Sequence, residues 1–259
     1  MDADQIAMSA AEMWESLLSL APGLRMVRKD GAYALINNQP SPVNGVYFER
    51  CDPDPAVVTA LLDEVAASGL PYRLRSRPGH DETIARLAAG RGMTRADDLP
   101  LMLLETAPFQ PPGPVRGFKV PAPVRGFEVR ELAPAEAKLH VAVAAAGFGA
   151  RPETVEQLAG PDMLGAEGVR CYLGELDGEP VATGMSVTFG SLTGLFSIAT
   201  VPGQRGRGFG AAITARAVSD ARAAGSPWCW LQSSPDGYRV YQGLGFRTIE
   251  IWATWHSPE

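Results

Sequence analysis

The strongest chemical signal in the sequence is a glycine-rich segment between Val201 and Ala211. It follows a strand-like stretch, has glycine at alternate positions 206, 208 and 210, and leads into a helical pattern. Glycine permits a tight turn and leaves the backbone uncovered, so unpaired amide N–H groups lie open where the helix dipole favours an anion. The spacing therefore predicts a phosphate-binding loop.

Two common phosphate-binding motifs do not fit this segment. Gly206, Gly208 and Ala211 satisfy the dinucleotide pattern GxGxxG/A, but that fold needs an acid at the end of the next strand to hold the ribose. Here the next strand, 228–232, is followed by two serines, and fewer than thirty residues remain beyond it. The Walker A pattern is excluded because no Gly-Lys-Ser/Thr follows.

A second motif further along the chain identifies the type of loop. Tyr241 stands a few residues before Gly245-Phe246 on a predicted helix. Together with Arg-x-x-Gly-x-Gly at 205–210, it resembles the GNAT acetyltransferase superfamily, whose pyrophosphate loop reads Gln/Arg-x-x-Gly-x-Gly/Ala and whose penultimate helix carries such a tyrosine. The resemblance covers 126–259 closely, and the first half only as a degenerate copy.

The resemblance implies that acetyl-CoA is the cofactor and gives several residues a role. The strand 192–201 would separate from its neighbour and offer the amides of Ala199 and Val201 to the pantetheine arm and the thioester. Ser234 matches a position where relatives often carry an asparagine that contacts the cofactor arm, and Tyr241 would protonate the departing thiolate as general acid. No metal is implied. The residues expected to bind the cofactor are Ala199, Thr200, Val201, Arg205, Gly206, Arg207, Gly208, Phe209, Gly210, Ala211 and Ser234.

The general base is not identified by the resemblance. Some relatives place a carboxylate on the strand before the tyrosine helix or on the strand before the loop, but 228–232 and 195–199 contain none. Glu128, Glu175 and His140 are candidates elsewhere, each more typical of a surface or packing residue than of a base. A chain of water molecules is the alternative.

The chain divides at a proline-rich stretch, in which six of the sixteen residues from 108 to 123 are proline. Proline at this density blocks helix and removes amide donors, so 108–125 is predicted to link a domain of 1–107 to one of 126–259. The glycines and prolines that punctuate the two parts recur in the same order, with Gly69, Pro71 and Gly92 matched by Gly225, Pro227 and Gly245. The predicted fold class is α+β (mixed α/β): two tandem GNAT-like folds, each a mostly antiparallel sheet flanked by helices.

The first copy lacks the chemical residues of the second. In place of the phosphate loop it has Asp52-Pro53-Asp54-Pro55, where two prolines remove amides and two carboxylates repel an anion. Ala88 stands four residues before Gly92, where the second copy has Tyr241. We therefore expect the first copy to be an inactive partner that completes or caps the substrate cleft.

Composition excludes several other classes of protein. A net charge of −6 and a pI near 5.2 disfavour nucleic acid as a partner. Cys51, Cys171 and Cys229 have no zinc-site spacing, and no apolar run approaches the ~20 residues that span a bilayer. These features favour a cytoplasmic protein without membrane contact, as monomer or homodimer.

The sequence therefore predicts an acetyl-CoA-dependent N-acetyltransferase. Its acceptor would be a primary amine of a small molecule or a peptide. The alternative is a binding module, in which an acyl-CoA-occupied domain acts as a sensor or scaffold without turnover. The presence of Tyr241 favours the enzyme, and the missing base favours the sensor.

Overall fold

The computed structural model describes residues 1–79, 81–107 and 124–258 of the 259-residue chain. They belong to two compact units. Unit 1 comprises Met1–Leu101, Gln232–Pro235 and Thr248–Glu259, and unit 2 comprises Met102–Leu231 and Asp236–Arg247. Most of the predicted linker, 108–123, lies outside the described residues. No helix in the described part of the chain is long and apolar enough to cross a membrane.

Unit 1 has a helix, an antiparallel three-stranded meander, a helix, a parallel strand and a further helix in succession. Strand β3 pairs antiparallel with β2 and parallel with β4, and the end of β12 pairs antiparallel with β4 and β5. The elements are α1 (Ala3–Leu17), β1 (Arg25–Lys29), β2 (Ala32–Ile36), β3 (Gly45–Phe48), α2 (Pro55–Ala66), β4 (Arg73–Ser76), α3 (Asp81–Gly90), β5 (Thr94–Arg95), the first residues of β6 (Leu99–Glu105) and most of β12 (Arg247–His256).

Helix α2 shows how local sequence builds the core of unit 1. Asp54 accepts a hydrogen bond from the amide of Ala56 at 2.8 Å, and Pro55 occupies the first turn. One face of the helix then buries four aliphatic side chains against the sheet, where Val46 and Leu74 are also fully buried. These four are Val58, Leu61, Leu62 and Val65.

Unit 2 repeats this order of elements with longer strands. Strands β7 to β10 form an antiparallel meander, and β10 pairs in parallel with β11. The elements are the rest of β6, then β7 (Phe127–Glu131), α4 (Ala137–Phe148), α5 (Pro152–Ala159), α6 (Pro161–Leu164), β8 (Val169–Leu176), β9 (Glu179–Phe189), β10 (Leu192–Thr200), α7 (Phe209–Ala223), β11 (Trp228–Gln232) and α8 (Pro235–Gly243).

A hairpin turn and two helix ends explain some of the recurring glycines in the sequence. Asp177 and Gly178 join β8 to β9 with φ of 51° and 86°, the left-handed pair that a two-residue hairpin requires. The matched glycines Gly69 and Gly225 follow α2 and α7, and both have positive φ. They end equivalent helices because only glycine adopts this conformation without strain.

The two units are not two consecutive segments of the chain. Strand β6 follows the last helix of the first half, yet its residues from Met102 onward belong to unit 2, where Met102 and Leu104 join the core. Beyond β6, Thr106 donates through its amide to Pro227 at 2.9 Å and through its hydroxyl to Ser226 at 2.6 Å. Conversely, β12 from Thr248 belongs to unit 1 and pairs with β4. The expected division into 1–107 and 126–259 therefore differs from the observed units, because each half contributes its last strand to the other unit.

Candidate functional site

Strand β10 separates from β11 at the centre of unit 2. Their parallel pairing joins 192–194 with 228–230, and in the described chain it extends no further. Strand β10 continues for six residues to Thr200, still paired with β9. This is the separation that the resemblance implied, and it leaves one edge of β10 without a strand neighbour beyond Gly194.

A β-bulge interrupts β10 in the separated part. The register with β9 shifts by one residue between Phe196 and Ala199, and Ser197 has a φ of 51°. A non-glycine residue in the left-handed region is uncommon, and bulges of this kind re-aim the backbone beside functional sites. The bulge changes which amides face the free edge.

The amides that face the open edge differ from the expected pair. Val201 donates its N–H to the carbonyl of Val181 on β9 at 3.0 Å, so this amide is already used within the sheet. Hydrogen-bonded and non-hydrogen-bonded pairs alternate along an antiparallel ladder, so Ala199, two residues earlier, also faces β9. Thr200, which lies between them, faces away from β9. The expected amides of Ala199 and Val201 therefore both face β9, and the amide at the open edge is that of Thr200.

The glycine-rich segment forms an open turn at the start of α7. Pro202–Gln204 is a single 3₁₀ turn, and Gly206 and Gly208 both have positive φ, 75° and 87°. Gly208 is the N-cap of α7 and provides no side-chain hydrogen bond to the helix. The first N–H groups of an α-helix have no acceptor within the helix, so those of 209–211 are available to an anion. The donor set fits a pyrophosphate.

The start of α7 lies against the separated part of β10. A Cβ placed at Gly210 would lie 3.7 Å from Oγ1 of Thr200 and 3.8 Å from Cγ2 of Ile198. Phe209 anchors this end of the helix, because its ring is buried and stacks on Phe127 with centroids 4.2 Å apart. The open amides of the loop and the free edge of β10 therefore belong to one site.

Arg205 has a different role from that of its glycine neighbours. Its Nη2 donates to the carbonyl of Gly147 at 2.6 Å, and its Nε donates to the carbonyl of Thr200 at 3.4 Å. Gly147 is in the last turn of α4, where unpaired carbonyls favour a cation. The side chain thus fixes the loop to α4 and β10. The family motif indicated the position of Arg205 but not this role.

The equivalent helix start in unit 1 is closed to an anion. Asp54 caps α2 with its own carboxylate, whereas Gly208 leaves the start of α7 uncapped. One amide that an anion would need is therefore taken, and the carboxylate repels a second negative charge. This geometry agrees with a phosphate loop in unit 2 alone.

Tyr241 lies on α8 and packs against the core of unit 2. Its ring makes an edge contact with Phe246, with centroids 6.0 Å apart. Burial raises the pKa of the Tyr241 hydroxyl to about 12, so the phenol stays protonated at neutral pH. A protonated hydroxyl suits a proton donor. Ser234 is exposed directly before α8, and its expected contact with the cofactor arm stays a prediction.

The three candidate bases lie on β7, β8 and α4, whereas Tyr241 lies on α8. Glu128 and Glu175 face each other across β7 and β8, and Glu175 accepts from Nε of Arg130 at 2.9 Å. His140 is completely buried in α4. The hydroxyl of Thr183 donates to the backbone and therefore accepts from Nδ1 of His140 at 2.7 Å. Burial lowers the pKa of His140 to about 4, which makes it a poor base.

The burial of His140 predicts an acid-dependent loss of stability. The unfolded chain binds a proton at a pKa near 6.5, whereas the folded chain binds it only near 4. The free energy of unfolding should therefore fall as pH decreases from 6.5 to 4, by up to about 3 kcal/mol. Urea unfolding of the wild type and of His140→Leu at pH 7, 5 and 4 measures this contribution. Equal pH dependence in the two proteins would mean that His140 does not titrate as its burial predicts.

Comparison with known proteins agrees with this geometry. Residues 142–246 match the Acetyltransferase (GNAT) family. No curated protein sequence matched the chain. Among solved structures, a GCN5-related N-acetyltransferase from Kribbella flavida has a TM-score of 0.69 and 22% identity, over 100% of this chain and 97% of that chain.

Two further structures are also similar to nearly the whole chain. One is a GCN5-related N-acetyltransferase from Sphaerobacter thermophilus, with a TM-score of 0.62 and 15% identity over 98% of this chain and 92% of that chain. The other is a tandem GNAT protein from the clavulanic acid biosynthesis pathway, with a TM-score of 0.57 and 15% identity over 99% of this chain and 97% of that chain. At these sequence identities the likeness establishes the fold alone. This fold is mixed α/β, as described above for both units. Residues 142–246 therefore match the Acetyltransferase (GNAT) family, and the chain as a whole shares the fold of these GNAT structures.

Proposed function

We propose that this chain transfers the acetyl group of acetyl-CoA to a primary amine of a small molecule or a peptide. The observation that carries the proposal is the uncapped start of α7 beside the separated edge of β10. The loop offers donors for the pyrophosphate, and the edge offers backbone donors along the length of an extended arm. This combination suits coenzyme A better than a nucleotide alone.

The site residues have separate tasks in this proposal. The amides of 209–211 hold the pyrophosphate at the helix start, and Arg205 keeps the loop fixed against Gly147 and Thr200. The outward amide of Thr200 lies at the edge where the thioester arm would run. It would stabilise the negative charge that develops on the carbonyl oxygen.

Proton transfer completes the reaction. The neutral amine attacks the thioester carbonyl, the carbon–sulfur bond breaks, and the thiolate takes a proton from Tyr241. The proton lost by the amine passes to water, because Glu175 is ion-paired and His140 is buried. Tyr241 is then reprotonated from solvent. The proposal needs an acceptor that reaches the site as the free amine.

Two measurements test the proposal together. Calorimetry with acetyl-CoA should give one site per chain, because of the two equivalent helix starts that of α7 is uncapped and that of α2 is closed by Asp54. A panel of primary amines, assayed by coenzyme A release, should contain acceptors that are turned over above the rate of hydrolysis. Absence of binding, or two equivalent sites per chain, would contradict the proposed cofactor site.

The second candidate is an acyl-CoA-binding module without turnover. It is favoured by the states of two candidate bases, because Glu175 is ion-paired with Arg130 and His140 is buried. This candidate predicts tight binding of acetyl-CoA and no coenzyme A release with any amine. The two experiments therefore separate the candidates, because both require binding and only the enzyme requires release.

A further inference from the structure

A row of polar side chains crosses one face of the sheet in unit 1. Tyr33 lies opposite Tyr47, Tyr47 opposite Arg75, and Arg75 opposite Thr254. Directly opposed residues lie on the same face, so these four side chains are neighbours there. The other face carries the aliphatic core with α2, including Val46 and Leu74. This row is separate from the phosphate loop, which belongs to unit 2.

Arg75 brings a positive charge into this row without a counter-charge. In the part of the chain that the structure describes, no carboxylate forms an ion pair with it or raises its pKa. Burial lowers the pKa of its guanidinium, and the Arg73 cation lowers it further, while the nearby Tyr47 opposes the shift. The ring of Tyr47, 5.6 Å away, offers only a partial cation–π compensation.

Arg77, two residues further along the chain, shows the contrast. Arg77 is 2% exposed and has full compensation: its Nε and Nη2 each lie 2.9 Å from the carboxylate of Glu250, and Nη2 lies 2.6 Å from Asp4. A buried charge without such a partner is costly, so it calls for a partner of opposite charge. The Arg75 side chain as a whole is half-buried, but its Nε is buried and has no carboxylate partner among the described residues.

Three hydrogen-bond donors around Arg75 are buried without a protein partner. They are Nε of Arg75, Nε2 of Gln232 and Oγ1 of Thr254. The amide of Gln232 is oriented by its Oε1, which accepts from Nη1 of Arg75 at 2.9 Å, so its nitrogen is the free atom. Buried donors are satisfied in native proteins by protein, water or ligand acceptors. Three buried donors, one of them on a charged side chain, form a site that suits an anion.

The shape of the guanidinium selects the class of anion. Nη1 is occupied by Gln232, which leaves the edge that contains Nε. This edge matches the two oxygens of a carboxylate in a bidentate arrangement. We propose that Arg75, Gln232 and Thr254 form a binding site for the carboxylate group of a small organic acid. The site lies within unit 1 and does not depend on acetyl transfer.

Nitrogen NMR of the full-length chain tests the site with acetate as the probe. The Nε–H signal of Arg75 is identified by its loss in Arg75→Met. Sodium acetate, titrated at constant ionic strength against sodium chloride, should shift this signal to saturation. The Nε–H signal of Arg73, on the same face of β4, is the control and should not show a saturating shift. No saturating shift at Arg75, or the same saturation with chloride alone, would overturn the proposal.

A second variant keeps the test valid if Arg75→Met does not fold. Thr254→Val keeps the side-chain shape and removes one neutral hydrogen bond, so acetate affinity should fall roughly fivefold. Thermal unfolding should show the same effect, with a smaller acetate-induced rise in Tm for Thr254→Val than for wild type. Unchanged acetate affinity in a folded Thr254→Val would contradict the proposed donor set.

Discussion

Replacing Tyr241 with phenylalanine is expected to lower turnover by ~10²-fold or more while acetyl-CoA affinity changes little. The ring packs against Phe246 and the core of unit 2, and phenylalanine preserves that packing. Only the hydroxyl is removed, which in the proposed mechanism protonates the departing thiolate in the transition state. The loss corresponds to about 2.7 kcal/mol of transition-state stabilisation. Steady-state kinetics and calorimetry on the same preparation measure both quantities.

Tyr238→Phe is the matched control for this prediction. Tyr238 lies on the same helix, and its hydroxyl accepts from Nε2 of Gln242 at 3.2 Å. This variant should keep wild-type turnover. If Tyr241→Phe lowered only the affinity for acetyl-CoA, Tyr241 would be a packing or binding residue. A wild-type rate in Tyr241→Phe would assign the proton donor elsewhere.

The pH dependence gives a further check on Tyr241. Because burial raises its pKa to about 12, the hydroxyl stays protonated through the neutral and mildly alkaline range. The acceptor amine must be deprotonated, so kcat/KM should increase with pH. No alkaline decrease from Tyr241 is expected below pH 10. A decrease centred near pH 8 or 9 would contradict the assignment.

Gly210→Val is expected to abolish most acetyl-CoA binding without unfolding the chain. Gly210 does not have a positive φ, and an added Cβ makes only ordinary contacts, at 3.7 Å to Thr200 and 3.8 Å to Ile198. The side chain would cover the start of α7, where the pyrophosphate needs close approach to the backbone. Losing two charge-assisted hydrogen bonds of about 1.5 kcal/mol each weakens binding by ~10²-fold.

Gly203→Val provides the control in the same loop. Gly203 also lacks a positive φ, and no atom lies within 4 Å of its added Cβ. Binding should be nearly unchanged in this variant. Gly208 is less suitable, since its φ of 87° would strain any side chain. Wild-type acetyl-CoA affinity in a folded Gly210→Val would remove the loop from the cofactor site.

The repeated order of elements was predictable from the sequence because its signals are local. Glycines at 69 and 225 end helices through their own φ, and the Asp177-Gly178 pair makes its hairpin through its own dihedral angles. The capped start of α2 and the uncapped start of α7 likewise depend on residues within one turn. The glycine-rich loop at 201–211 was recognised in the sequence for the same reason, because its signal is also local.

Which segments of the chain form each of the two units was not predictable in this way. The proline-rich stretch suggested a boundary, but β6 and β12 belong to the unit formed mainly by the other half. A strand-like sequence pattern indicates that a segment pairs with another strand, but it does not indicate which strand that is. A fragment of 126–259 would therefore lack Met102 and Leu104, which lie in the core of unit 2.

The sequence by itself determined the glycine-rich loop motif and the Tyr241 motif, because each depends on residue type and short spacing, and it predicts an inactive first copy on the same grounds. Only the tertiary structure decided which amide of β10 faces its open edge, since the bulge at Ser197 shifts the register by one residue. It also decided that Arg205 holds α4, that His140 is buried and that no carboxylate of the described residues pairs with Arg75. These properties depend on residues far apart in the chain, and burial and hydrogen-bond partners arise only when the chain brings them together.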